Sequence, residues 1–182
     1  MLLLVAFVAL WALLPVKSLE ATLQSETSQM AYWGGPDSDQ WVKSHMAAMT
    51  LASARGIVRA SDALGTKPIG RWLTGRLYAS LVWMNLSAYR AASLLLWSFA
   101  GIPLMLAAVI DGFYVREIRK TSFTQQSPLR HSAGVYFSRW ASVGIVAWLL
   151  VPFPVPSIVI PLTICVIAFA MWMWAAHLQK RL

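Results

Sequence analysis

From Ala91 to Ile110 the chain reads AASLLLWSFAGIPLMLAAVI, twenty residues without one charged side chain. At 1.5 Å per residue, a helix of that length covers about 30 Å, the thickness of a bilayer's hydrocarbon core. Composition points the same way, because only 12% of the 182 residues are charged and ten are tryptophan. A soluble domain carries roughly a quarter charged residues, and bilayer proteins collect Trp at the lipid–water boundaries. The expected fold class is an all-α integral membrane protein. About four transmembrane helices are expected, with a helical extracytoplasmic segment between the first and second.

The rest of the chain divides around this run. Residues 1–16, MLLLVAFVALWALLPV, are uncharged and reach about 24 Å as a helix. They read as a first membrane helix or signal anchor, continuing past Lys17, since neither a basic leading region nor an A-x-A-like cleavage site is present. Residues 17–90 form the extracytoplasmic or interfacial segment. A helix there ends at Gly34-Gly35, where glycine accepts the left-handed cap. "PDSDQW" then offers Asp37 or Ser38 as a cap for a second helix ending near Gly65. Small residues between Ala47 and Ala63 would let that helix approach a neighbour closely. A third helix starts near Pro68, a residue suited to a first turn.

Residues 91–110 are the second membrane helix, kinked at Pro103, with Arg90 and Asp111 anchoring its two ends. Residues 111–139 make a basic loop. Residues 134–176 form a membrane hairpin broken at 152–156 by PFPVP, whose prolines cannot sit inside a regular helix. Its first half starts near Gly134 with Arg139 snorkelling to the interface; a re-entrant hairpin is the alternative. Residues 177–182 are a short basic tail.

Orientation follows the cations. Between Asp111 and Arg139 stand five Lys/Arg against two acids, and the tail adds Lys180 and Arg181. Basic loops stay cytoplasmic. Four spans then place both termini of a multi-pass membrane protein in the cytoplasm. Residues 17–90 themselves carry eight Lys/Arg against five Asp/Glu, a net +3, but long loops obey the charge rule poorly. The overall charge of +8 fits contact with membrane lipid. No dense basic block tracks phosphates, so direct nucleic-acid contact is not expected.

Few residues carry chemistry. The single cysteine, Cys165, forms neither an internal disulfide nor a thiolate cluster. The three histidines are scattered without metal-ligand spacing and read as surface or interfacial. Asp111, Gly112 and Arg116 spell D-G-x-x-x-R, which invites comparison with the metal site of CDP-alcohol phosphotransferases. That chemistry needs several downstream carboxylates, and Glu117 is the last acid in the chain. A phospholipid-synthesis enzyme and a small transporter are therefore the alternatives, and no enzyme, cofactor or metal is expected. Gly112 would let the chain leave its helix tightly, while Asp111 would accept hydrogen bonds from Arg116 or Arg119.

The segment Asp111, Gly112, Arg116, Ile118 and Arg119, followed by Ser127 and His131 in "SPLRH", resembles an uncharacterised membrane-protein family of integrating conjugative elements and conjugative plasmids. The general plan is similar too: a short first helix, a long extracytoplasmic segment, then three spans with a basic cytoplasmic loop. The resemblance implies a non-enzymatic inner-membrane subunit of conjugative DNA transfer by type IV secretion. It implies association with the VirD4-type coupling ATPase or other secretion-channel subunits, and it leaves self-association into a homo-oligomer open. The seven motif residues are then the candidate structural or partner-docking positions.

Overall fold

The structure is a computed structural model and describes residues 11–63, 68–121 and 128–178. Five helices account for nearly all of them: α1 (Val16–Gly34), α2 (Pro36–Ala63), α3 (Pro68–Thr121), α4 (Pro128–Leu150) and α5 (Val159–Ala176). No strand occurs among the described residues. Three helices are long and apolar enough to cross a membrane, within Ile69–Thr121, Ser132–Leu150 and Val159–Ala176. Of the expected first membrane helix the structure describes residues 11–16: 11–13 are helical, and the helix breaks at Leu14-Pro15, with Pro15 extended, before α1 opens at Val16, so it does not continue past Lys17 as expected.

Proline and glycine set several boundaries where local chemistry requires them. Gly35 sits at φ 83, a left-handed conformation that an L side chain enters only with strain. Pro36 and Pro68 open α2 and α3, each at a position whose backbone N–H has no helical acceptor. Pro36 itself begins α2, so Asp37 and Asp39 lie inside its first turn. They complement the helix dipole there, in place of the cap expected from Asp37 or Ser38.

Two expected boundaries are absent. α3 does not begin afresh at Ala91, because it continues unbroken for 54 residues and runs through Pro103. Arg90 is internal to it and fully buried. No proline stands between Trp72 and Arg90, the single Gly75 is tolerated inside the helix, and a change of polarity alone does not end one. Likewise most of the 111–139 loop is helical, α3 extending to Thr121 and α4 starting at Pro128.

The described residues up to Ser93, together with Leu149–Ser157, make one compact unit; Leu94–Trp148 and the residues from Ile158 make a second. α3 contributes its first half to one and its second half to the other. The core of the first unit gathers Leu19, Ala79, Val82, Trp83 and Leu86, with Trp11, Leu14, Val16 and Leu23 against it. Fully burying a leucine such as Leu86 contributes about 1.5–3 kcal/mol as an upper figure. The Arg76 guanidinium donates to the carbonyls of Trp11, Ala12 and Leu14 at 3.0–3.2 Å. It thereby serves carbonyls that a helix end leaves open. Most of the small residues of α2 stay open rather than meeting a neighbour among the described residues. Ala47, Ala48, Ser53, Gly56 and Ala60 are exposed, while Val42 and Thr50 turn inward.

In the second unit the helices touch through glycine. A Cβ built on Gly101 would lie 2.9 Å from the Ile164 side chain, and one on Gly134 would lie 2.9 Å from the Ala170 carbonyl oxygen. Such positions let helix backbones approach closely where side chains would hold them apart. The outer faces remain open. Only 6% of the apolar window of α4 is buried, against 33% for α5.

Candidate functional site

The D-G-x-x-x-R-x-I-R segment lies within the last three turns of α3, not in a loop. Asp111, Gly112 and Arg119 share the side that meets α5. A Cβ on Gly112 would fall 2.8 Å from the Trp172 carbonyl oxygen and 2.9 Å from Ala175 Cβ. Gly112 is thus a contact position inside a helix, correcting its expected role as an exit. The Asp111 carboxylate accepts a hydrogen bond from Trp172 Nε1 at 2.7 Å, in place of the expected bond from Arg116 or Arg119. In a helix, the residue five places on sits about 140° away around the axis, out of easy reach.

Arg119 closes the same seam about two turns later. Its Nη1 donates to His177 Nε2 at 2.8 Å and more weakly to the Ala176 carbonyl at 3.5 Å. His177 is buried, and its Nδ1 lies 3.0 Å from the Met173 carbonyl. A carbonyl only accepts, so Nδ1 carries the proton and Nε2 offers its lone pair to the guanidinium. The place of His177 beneath Arg119 corrects the expectation of a surface histidine. The cation also faces the carbonyl end of α5, where a positive charge is favoured.

The other motif positions diverge. Arg116 is half-buried, and its Nε donates to no group among the described residues. Ile118 points away and is 66% exposed. Ser127 and the His131 side chain lie outside the described residues. Among the described residues, no three His, Cys, Asp or Glu side chains group as metal ligands would.

The first unit holds a second constellation that sequence reasoning missed. Pro152, Pro154 and Pro156 lack N–H groups, so α4 stops at Leu150 with its last carbonyls open. Donors from α3 reach across to them. Trp83 Nε1 binds the Leu150 carbonyl at 2.9 Å, and Ser87 Oγ binds that of Leu149 at 2.9 Å. Arg90 takes the carbonyls of Val151 and Phe153 at 2.5 and 2.7 Å. The spacing 83, 87, 90 is one helix face, so a single row of α3 serves the end of α4.

Arg90 is held in turn by Glu26 of α1. Its Nε lies 3.2 and 3.0 Å from the two carboxylate oxygens, and Nη2 lies 2.5 Å from Oε1. Both side chains are buried, at 0% and 3% exposure. Glu26 Oε1 also accepts the Val155 backbone N–H at 3.3 Å, and Gln29 Oε1 accepts that of Ser157 at 2.9 Å. Beside this, Tyr89 OH donates to Asp39, which pairs with Lys43. A buried charge pair is tolerated only when its remaining donors and acceptors find partners, and here the broken turn supplies them. The expected end anchor of a membrane helix, Arg90 is instead the centre of this network.

These features define an all-helical chain with three helices of membrane-crossing length and a charged, helical end on α3. The family described as IncC plasmid conjugative DNA transfer protein DtrJ-like matches residues 16–179. The chain belongs to this DtrJ-like family, and its role lies in conjugative DNA transfer. The likeness to a family of conjugative elements, drawn from the Asp111–Arg119 segment, is thereby borne out. No curated protein and no solved structure matches the chain.

Proposed function

We propose that this chain is a non-enzymatic, multi-pass inner-membrane subunit of the conjugative type IV secretion apparatus, and that it associates with the VirD4-type coupling ATPase. In this reading both termini and the basic ends of α3 and α5 face the cytoplasm, where cationic segments are retained. The observation that carries the proposal is the division of labour on the last turns of α3. Asp111, Gly112 and Arg119 are engaged with α5. Ile110, Tyr114 and Ile118, spaced by four, stay 55%, 67% and 66% exposed. That apolar row continues past the uncharged run to a level where the exposed Glu117 and Lys120 mark water. Lipid covers such a row along its apolar part only, and a partner helix covers all of it.

Co-purification from donor-cell membranes in mild detergent tests the reading. The tagged chain should bring the coupling ATPase with it, and Ile118→Glu should lose the ATPase while eluting as the same folded species. Recovery of the wild-type chain without the ATPase would overturn the association.

A further inference from the structure

Arg139 is the one cation in the apolar stretch of α4. It lies seven residues past the start of the span Ser132–Leu150, about 10 Å along the helix axis. It is exposed, and none of the ion pairs among the described residues uses it. α4 and α5 contain no Asp or Glu at all. After Glu117 the chain has six Lys/Arg and not one acid. A counter-charge for Arg139 must therefore come from outside its own helix pair. An unpaired guanidinium facing hydrocarbon is costly, and the side chain relieves that cost by reaching toward the headgroups.

The surroundings of Arg139 suit one kind of counter-ion. It borders an open crevice of about 320 Å³ along the α4–α5 seam, lined also by Gly134, Val135, Ser138, Met171 and Trp174. Gly134 draws the two backbones together there, a Cβ on it falling 2.9 Å from Trp174 N. The crevice thus offers a guanidinium, a serine hydroxyl and an indole above apolar walls. Beside it, Tyr136 and Trp140 are 60% and 71% exposed, the pattern of an interfacial aromatic belt. We propose that this crevice is a binding site for an anionic phospholipid, whose phosphodiester pairs with Arg139 while its acyl chain lies along Val135 and Met171. Basic crevices between membrane helices on the cytoplasmic side recognise such headgroups. The proposal rests on the membrane-subunit reading, but not on the coupling ATPase.

Native mass spectrometry of the full-length chain in mild detergent, titrated with phosphatidylglycerol or phosphatidylcholine, tests it. The wild type should retain phosphatidylglycerol preferentially. Arg139→Gln should lower that preference about five-fold, the loss of one cation at the headgroup level, and Arg139→Lys should keep most of it. Arg55→Gln, at an exposed position of α2, should change nothing. Equal retention of the two lipids, or an undiminished preference in Arg139→Gln, overturns the site. The same variant is assayed for co-purification of the ATPase. If Arg139→Gln loses the ATPase yet keeps its lipid, the guanidinium serves an acidic side chain on a protein partner and the lipid proposal falls. If the lipid is lost and the ATPase stays, the lipid site stands apart from the docking reading.

Discussion

The two units hold their helices by opposite means. In the first, side chains from α1 and α3 reach the part-buried backbone of the broken turn: Trp83, Ser87, Arg90, Glu26 and Gln29 together bind residues 149–157. In the second, backbones meet at Gly101, Gly112 and Gly134, and polar bonds such as Asp111–Trp172 and Arg119–His177 lie at one end. The difference follows from what each must bury. A proline-broken turn leaves carbonyls and N–H groups without helical partners, and each one buried alone costs about 1–3 kcal/mol. Regular apolar helices leave no such groups open, so they gain chiefly from close packing.

Removing the centre of the polar network should therefore produce the largest effect. Arg90→Met leaves Glu26 as a buried unpaired charge and uncovers the carbonyls of Val151 and Phe153. Breaking a buried pair in this way costs about 3–5 kcal/mol, read as a lowered unfolding midpoint of the full-length chain in mild detergent. Joining it with Glu26→Leu should restore part of that loss. Recovery stays incomplete, because both carbonyls still lack a donor. An Arg90→Met single variant as stable as wild type would show that the network decorates the first unit without holding it.

The glycine seams predict a smaller effect whose sign depends on position. Gly112→Ala forces a methyl group to within 2.8 Å of the Trp172 carbonyl oxygen, and overpacking of this kind costs about 1–3 kcal/mol. Gly144 has nothing within 4 Å of its would-be Cβ. Gly144→Ala should therefore be neutral or should stabilise by up to about 1 kcal/mol, the ordinary helix preference for alanine. The same unfolding measurement on both variants separates packing from propensity. If the two shift the midpoint alike, the close approach at Gly112 does not hold α3 to α5.

The same contrast explains what is legible in the sequence. Ends written in proline or glycine are readable, at Gly34-Gly35, Pro68 and PFPVP, because those residues act on their own backbone. The membrane class is readable from charge-free length. The Glu26–Arg90 pair is not, since its partners stand 64 positions apart and each alone looks like a solvated charge. The Asp111–Arg119 segment is visible as a pattern, yet its role is not. Glycine suits a helix exit and a helix contact equally well, and only the distant Trp172 tells them apart. Continuity of α3 through Arg90 is hidden by the same buried pair: a charge beside an apolar run reads as a boundary until its partner is known.

The smallest effect belongs to the surface. Lys120 and Glu117 pair at (i, i+3) near the end of α3, with side chains 37% and 62% exposed. Water screens such a pair, and ordering two long side chains offsets most of the attraction. Lys120→Met should move the unfolding midpoint by less than about 0.5 kcal/mol. Ionic strength makes the test sharper than the magnitude alone. Near 1 M salt the screening length falls to about 3 Å, so the difference between Lys120→Met and wild type should vanish. The cost of Arg90→Met should persist there, because salt does not enter a site with 0% and 3% exposure. If both costs faded together as salt rose, the Arg90 network would be reached by solvent, and the contrast between the two units would reduce to a difference in degree.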